Sequence, residues 1–447
     1  MTCSQQTTDG IAFQHSKAIA NPEFHLDVLD ELTYEAEVEG GVPLASDPDN
    51  RYPYAYPRDI ASITRAWLTA IRHDVRPTEC LNRILESARF MIAVEDDGRW
   101  YQRYALDGTE QGIYRQEDNV AHGIRIIAHA VVALETVTGL EAADEAFLSA
   151  AVEAIDAAVA HARRDLYDAN AHLIESTTSI HEGAIESGYT LWVNCAFLAG
   201  FRQALDAFER IDAATNIAVD AERDHIEEFL NRLEPGVKRC FAVDDVPVPR
   251  RFTPDGERDD RPDITLLAPT YFDLEDLFGD QAIRAAERAA AGLEDPRLGG
   301  LQRFRGFHRD HEVHQHGGTG PWMQYTAWHA QYRYDRGELD RGDDVLSTIV
   351  SHADDDGFIP EHLSTRDRFE QFRAREWNTG VDFDKEFDPD VLRDVPFDRV
   401  VEELESMRRA YDGMAEALEE SEVIAFAAPL AWCHAEFLTA LLKRANE

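Results

Sequence analysis

The sequence has little cysteine, and its cysteines are not spaced as disulfide pairs or metal ligands usually are. They number five, they are widely spaced, and no two of them form a CxxC pair. Disulfide-stabilised secreted domains and structural zinc sites both require cysteines paired at characteristic spacings. We therefore expect neither a disulfide framework nor a cysteine-based zinc site, and we expect reduced thiols in the core.

Lysine is scarcer still, and acidic residues outnumber basic ones along the whole chain. There are four lysines, and Asp+Glu 86 against Lys+Arg 44 gives a formal net charge of -42. Without a basic stripe to neutralise phosphates, we expect no nucleic-acid partner. Acidic residues occur in nearly every segment, which argues against a patch for one basic partner. Because molar salt shortens the screening length to about 3 Å, we expect a halophilic surface adapted to a high-salt cytoplasm.

Long apolar runs are also missing. No stretch reaches the roughly 18 consecutive apolar residues that a membrane-spanning helix needs, so we expect no membrane contact. The first residues, MTCSQQTTDG, contain no basic segment followed by an apolar one and no twin arginine. An export signal is therefore not indicated, and we expect a cytoplasmic protein.

Helical periodicity is what the sequence has in abundance. A hydrophobic fraction of 44% and an aromatic fraction of 10% provide for a sizeable core. Between residues 58 and 73, apolar side chains recur at three- and four-residue steps and so share one helical face. The same period predicts helices over residues 24–37, 58–73, 79–94, 119–138, 142–163, 188–209, 217–233, 264–277, 280–293, 320–337, 340–353, 396–418 and 424–443.

Long connectors rich in Gly, Pro, Asp and aromatic residues follow alternate helices. Long loops within a compact domain usually carry function. The alternation predicts an all-α ring of helical hairpins, with inner helices inside outer ones and the long loops at one mouth. No linker marks a cut, so we predict one domain over residues 21–447, preceded by an extension over residues 1–20. The connectors are residues 40–57, 96–118, 174–187, 240–263, 295–320 and 354–395.

Two glutamates stand in loops that differ from the acidic surface elsewhere. Glu182 lies in TTSIHEGAIESGYTLW, among small and aromatic residues, and Glu361 lies in DDDGFIPEHLS. Two carboxylates from separate loops are the minimum needed to protonate a leaving oxygen and to activate water on the opposite face of a sugar. On the sequence pattern alone, a solvated surface glutamate is an equally good interpretation of each.

An ordered set of segments over residues 51–437 resembles glycoside hydrolase family 15, the glucoamylase family. Each segment is a weak motif alone, but their common order is hard to obtain by chance. The resemblance is to a short form without the β-sandwich that often precedes the catalytic domain, so we expect small soluble oligosaccharides as substrates. The segments are YPYAYPRDI (52–60), RWYQRYALDG (99–108), YRQEDNV (114–120), SIHEG (179–183), GGLQRF (299–304), GGTGPW (317–322), GFIPEH (357–362) and PLAWCHAEF (429–437).

The resemblance implies an (α/α)6 barrel that attacks α-linked glucose from the non-reducing end with inversion, releasing β-glucose. Glu182 would be the general acid and Glu361 the general base. Arginine forks and aspartate bind vicinal hydroxyls well, and aromatic rings stack on sugar faces. A structural ion pair and core packing are the competing interpretations for the arginine-aspartate pair and the tryptophans. The substrate-binding residues implied are Tyr56, Arg58, Asp59, Trp100, Gln116, Asp118, Arg303 and Trp322.

The chain departs from the family pattern around the acid. Where the family usually has Trp-Glu-Glu, this sequence has His181, Glu182 and Gly183, so an apolar wall and a second carboxylate are missing. A protonated His181 would favour the charged carboxylate and weaken the acid at low pH.

Three alternatives to a malto-oligosaccharide hydrolase stay open. Trehalose is the first, because the family includes trehalases. The second is a non-catalytic sugar-binding toroid, which the change around Glu182 favours, and the third is phosphorolysis, which a glutamate at position 361 disfavours. No metal or other cofactor is expected, since the histidines in HRDHEVHQH (308–316) match no defined zinc spacing and inverting hydrolysis needs no metal.

Overall fold

The computed structural model describes most of the chain. The described residues are 18–50, 52–181, 187–243, 247–303, 320–372, 392–403, 405, 406, 409 and 421–445. Most of the predicted N-terminal extension, residues 1–17, lies outside this description.

Helices dominate the described residues, and a further helical stretch covers residues 397–403. A 3-10 turn, Ile264–Leu267, leads into the short eighth helix. In chain order the helices are α1 (Pro22–Glu31), α2 (Pro57–Arg72), α3 (Pro77–Ala93), α4 (Asp118–Val137), α5 (Glu145–His161), α6 (Leu191–Ala214), α7 (Asp220–Phe241), α8 (Ala268–Tyr271), α9 (Glu275–Phe278), α10 (Asp280–Ala291), α11 (Met323–Asp335), α12 (Leu339–His352), α13 (Arg366–Phe372) and α14 (Ala431–Arg444).

Six of these helices close a ring. Going round it, α2 contacts α4, α4 contacts α6, α6 contacts α8, α8 contacts α11, α11 contacts α14, and α14 contacts α2. The helices α1, α3, α5, α7, α10 and α12 alternate with them in the chain and pack against the ring or the turn before α8. The fold is therefore an (α/α)6 toroid of helical hairpins, as the sequence predicts.

Burial separates inner from outer helices. In the inner helix α11 every residue except Arg333 and Asp335 is buried. The outer helix α12 buries one stripe that includes Leu346, Ile349 and Val350. A helix surrounded on all sides is buried all round, whereas a surface helix buries one face. The inner helix α4 is long and apolar enough to cross a membrane by length and composition, yet 78% of that stretch is buried inside the protein.

Short antiparallel strands stiffen the connectors. In the last pair, His362 lies opposite Phe426, and an isolated bridge joins His362 to Trp322 on its other side. The pairs are β1 (Thr33–Glu35) with β2 (Gly41–Pro43), β3 (Tyr167–Asp168) with β4 (Leu173–Ile174), β5 (Tyr189–Thr190) with β6 (Arg251–Phe252), β6 with β7 (Arg258–Asp259), and β8 (His362–Thr365) with β9 (Val423–Phe426).

Three helix predictions are wrong in part. The helix predicted over residues 24–37 ends at Glu31 and gives way to β1. The one predicted over 424–443 includes strand β9 before α14 begins. The one predicted over 264–277 is split into a 3-10 turn and two short helices. Short apolar runs do not reveal by periodicity whether they form helix or buried strand.

Candidate active site

A cavity of about 800 Å³ lies where the inner helices begin. Its lining includes side chains from the first turns of α2, α11 and α14, and from the long connectors before α2 and α4. Helix N-termini carry partial positive charge, so this end of the toroid favours oxygen-rich ligands and developing negative charge. Of the predicted site residues, the cavity lining brings together Tyr56, Arg58, Asp59, Arg303, Trp322 and Glu361.

The Glu361 backbone is fixed by neighbouring elements. Its N–H donates to the Phe426 carbonyl over 2.8 Å, and its carbonyl accepts from the Met323 N–H over 2.9 Å. The side chain is 13% exposed. Burial raises the pKa of the nearby Cys433 thiol, and the Glu361 carboxyl raises it further. The structure thus holds the Glu361 carboxylate, mostly buried, in the lining of the cavity.

Arg58 is held in the first turn of α2 by a buried carboxylate. Its Nε and Nη2 donate to the two Asp118 oxygens over 3.0 and 3.3 Å, and Nη2 also donates to the Ser179 carbonyl over 3.2 Å. Trp192 Nε1 donates to Asp118 as well, over 2.9 Å. Burial would raise the pKa of Asp118, but Arg58 and His122 lower it overall. Asp118 therefore stays charged and orients Arg58.

His181, the residue before the predicted acid, is wedged between two charged groups. Arg303 Nε donates to His181 Nδ1 over 3.1 Å, and His181 Nε2 lies 3.3 Å from Asp263 Oδ2. Because a guanidinium can only donate, Nδ1 must accept, so the ring is neutral with its proton on Nε2. Burial would raise the pKa of Asp263, but Arg250 and His181 lower it to about 2. A protonated His181, the form that would weaken the acid, does not match this arrangement.

Arg303 links the two sides of the cavity. Besides His181, it donates to the Ile180 carbonyl, and its guanidinium lies 4.5 Å from the centre of the Trp322 ring. Such a planar cation over an indole is a favourable contact. Both Ile180 and Trp322 line the cavity. The segment that runs into residue 182 therefore reaches the same cavity as Glu361.

Three predicted binding residues do not line the cavity. Trp100 is 2% exposed. Its Nε1 donates to the Met91 carbonyl over 2.7 Å, and its ring occupies the space that Gly123 leaves open. Gln116 is buried and donates to the Ser179 carbonyl over 3.4 Å, and Asp118 is fully buried beneath Arg58. In this structure all three side chains are hydrogen-bonded to protein groups, and their sugar contacts stay predictions.

The sequence missed Arg103, which lies in the motif RWYQRYALDG. Its Nη1 donates to the Tyr56 hydroxyl over 3.2 Å, it pairs with Glu403, and its guanidinium lies 4.6 Å from the centre of the Tyr54 ring. Burial would lower the pKa of Arg103, but Tyr56 and Glu403 raise it overall. Arg103 therefore joins the helical stretch 397–403 to the aromatic wall of the cavity.

Trp432 is a second missed residue, in the motif PLAWCHAEF. It lines the cavity, and its Nε1 donates to Glu436 Oε1 over 3.1 Å. The fully buried Glu436 also accepts from Tyr271 over 3.1 Å and from Gln331 over 2.8 Å. A buried carboxylate so surrounded fixes the indole, since every bond constrains the same group.

Other predictions fall outside the described residues. They concern the general acid Glu182, its neighbour Gly183 and the histidines of segment 308–316. Within the described residues, no group of three or more His, Cys, Asp or Glu side chains has the arrangement of a metal site.

Comparisons with known proteins give similar folds at low identity. No family model and no curated sequence matches the chain. A solved glycosidase is 14% identical over 95% of this chain and 96% of its own, with a TM-score of 0.59. A glucoamylase from Saccharomycopsis fibuligera is 14% identical over 98% of both chains, with a TM-score of 0.53. A bacterial glucoamylase complexed with acarbose is 12% identical over 95% of this chain and 55% of its own, with a TM-score of 0.58. These likenesses show the toroid fold.

Proposed function

We propose that the chain is an inverting, exo-acting glycoside hydrolase that cleaves α-glucosidic bonds of malto-oligosaccharides or related α-glucosides. Glu361 would activate water as the general base, and Glu182 would protonate the departing oxygen as the general acid. The observation that carries the proposal is the cavity, which gathers Glu361, Asp59 and Arg58 at the mouth of the toroid. The three solved structures compared above are described as a glycosidase and two glucoamylases.

The base assignment is supported by the setting of Glu361. Its carboxyl lines the cavity and keeps 13% of its surface exposed, so it can reach a water molecule while its backbone is fixed. A general base must lie within hydrogen-bond reach of the proton that it removes. The partial positive charge at the N-termini of α2, α11 and α14 would also stabilise an anionic carboxylate.

The acid assignment is supported by Ile180, which lines the cavity two residues before Glu182. Arg303 anchors Ile180 and His181 from the opposite side. An inverting enzyme needs its two carboxyl groups about 6.5 to 9.5 Å apart, to leave room for water. We propose that Glu182 faces Glu361 across this gap.

We propose that the cavity receives the end of a chain. The first turns of the inner helices form one wall, so substrate would enter from the side of the loops. We propose that Asp59 and Arg58 bind hydroxyls of the terminal glucose and that Tyr56 and Trp322 contact its faces. Hydrolysis would then release one β-glucose at a time.

Proton NMR tests this function directly. We expect maltotriose to be consumed in molar salt with β-glucose as the first anomer to appear, because water attacks opposite the leaving group. Release of the α-anomer would contradict inversion. Consumption of trehalose in place of maltotriose would make the enzyme a trehalase, and consumption of neither would favour the non-catalytic toroid.

The carboxylates are tested by Glu361→Gln and Glu182→Gln. Each should lower kcat by about 10²- to 10⁴-fold, because amides neither donate nor accept the transferred proton. Glu39→Gln is the matched control, since Glu39 is 73% exposed and pairs with Arg89 on the surface. Full activity in both site variants would eliminate the catalytic assignment.

A further inference from the structure

His362 is the residue after the proposed base, and no role follows for it from the proposed function. Its side chain is completely buried. Its Nδ1 lies 3.2 Å from Glu361 Oε2. A carboxylate oxygen can only accept, so Nδ1 carries the proton and donates it to Glu361.

Two aromatic rings clamp the imidazole in its plane. Trp322 stacks on one face with centroids 4.3 Å apart and an interplanar angle of 15°. Phe426 stacks on the other face at 4.1 Å and 12°. Both rings are cross-strand neighbours of His362, so the backbone register itself brings the three together. Side chains directly opposite each other on adjacent strands are close enough to pack.

The stack continues beyond Trp322. Arg303 covers the outer face of the indole at 4.5 Å and binds His181 over 3.1 Å. One column of Arg303, Trp322, His362 and Phe426 therefore spans from the segment before residue 182 to residue 361. A ring clamped on both faces holds its N–H in a fixed direction, which a lone surface histidine does not.

We propose that His362 is a positioning residue that aims the Glu361 carboxylate at the attacking water. The inference rests on the proposed function, since it assigns His362 a part only if Glu361 is the base. By engaging Oε2, the Nδ1–H restricts rotation of the Glu361 carboxylate. Charge-assisted hydrogen bonds of this kind are roughly twice as strong as neutral ones, so they fix orientation as well as charge.

Two variants separate the hydrogen bond from the stack. His362→Phe keeps a ring between Trp322 and Phe426 but removes the donor. His362→Asn removes the ring but places an amide N–H near the position of Nδ1. Positioning predicts that kcat falls about 10- to 100-fold in His362→Phe with KM little changed. It also predicts that His362→Asn retains more of kcat, although its thermal unfolding temperature is lower.

The pH profile gives an independent readout. A donated hydrogen bond favours the charged carboxylate, so its loss should move the acid limb of the kcat profile to higher pH in His362→Phe. A purely structural role predicts the reverse order of activities, with His362→Phe close to wild type and His362→Asn impaired. Wild-type kcat and an unmoved acid limb in His362→Phe would overturn the inference even if His362→Asn fails to fold.

Glu361→Gln keeps this outcome distinct from a failure of the proposed function. An inactive Glu361→Gln beside an unaffected His362→Phe removes the positioning role and leaves the base assignment standing. A fully active Glu361→Gln removes both.

Discussion

At the scale of single residues, the site depends on charges that are buried in pairs. Arg58 lines the cavity while two of its nitrogens, Nε and Nη2, donate to Asp118, which is fully buried. Removing one partner of a buried pair leaves the other charge without compensation, whereas surface pairs contribute little. The orientation of the Arg58 guanidinium is thus set by Asp118, which does not itself line the cavity.

We expect Asp118→Asn to lower the free energy of unfolding by about 3 to 5 kcal/mol, because it removes the negative charge that pairs with the buried Arg58 guanidinium. It should also raise KM, since Arg58 loses its orientation. Urea denaturation and substrate titration measure the two effects. Asp220→Asn is the control, because Asp220 is 88% exposed and lies 4.0 Å from Arg223. Equal stability of the two variants would contradict the account.

Sequence reasoning located several cavity residues but not their individual roles. The motif around Arg58 and Asp59 led to two residues that line the cavity. Trp100 also stands in a motif, yet its ring packs against Gly123 in the core. Whether a tryptophan faces a cavity or the core depends on which side of the loop is covered, and that is decided by the packing of other elements.

At the scale of elements, a pair of buried histidines ties α1 to α14. The Ile359 N–H donates to His434 Nε2 over 3.0 Å. His434 Nδ1 lies 2.9 Å from His25 Nδ1, and His25 Nε2 lies 2.8 Å from the Ile19 carbonyl. Because His434 Nε2 accepts, its proton is on Nδ1, which donates to His25 Nδ1, and His25 Nε2 then donates to the Ile19 carbonyl. This arrangement requires both rings to be neutral. Ile359 stands two residues before Glu361, so this histidine pair also supports the loop that carries the proposed base.

Acid should weaken the contact between His25 and His434. Burial lowers the pKa of His25 to about 4 and that of His434 well below its usual 6.5. Between pH 6.5 and about 4 the unfolded chain binds protons that the native state does not, so the unfolding free energy falls as pH falls. Each ring contributes up to about 1.4 kcal/mol per pH unit.

Urea denaturation from pH 7.5 to 4 measures this slope. A His25→Phe/His434→Gln double variant should be less stable at pH 7.5 but should show a flatter dependence on pH. His225→Ala serves as control, because His225 is 58% exposed. Identical slopes in wild type and double variant would show that the pair does not titrate as proposed.

The elements themselves were largely predictable, with informative exceptions. Recurrence of apolar side chains at three- and four-residue steps located inner and outer helices alike, as in α2 (Pro57–Arg72). Strand β9 (Val423–Phe426) was predicted as helix because its apolar residues continue into α14. Its strand character comes from pairing with β8, which lies about sixty residues earlier, and no local pattern carries that information.

At the scale of the whole molecule, closure of the ring brings distant segments together. Residues 58, 180, 303, 322, 361 and 432 line one cavity because each belongs to a connector or first turn at the same end. The alternation of helices and long connectors predicted this convergence. Adaptation of the acidic surface to high salt and a cytoplasmic location stay predictions from the net charge of -42 and the N-terminal sequence.

The central claim is that two carboxylates face each other across this cavity. A crystal structure with a bound oligosaccharide measures it most directly, through the distance between the carboxyl groups of Glu182 and Glu361. We predict about 6.5 to 9.5 Å, with the scissile bond between them and a water molecule on Glu361. A Glu182 side chain directed away from the cavity, or a separation near 5 Å, would contradict the inverting mechanism.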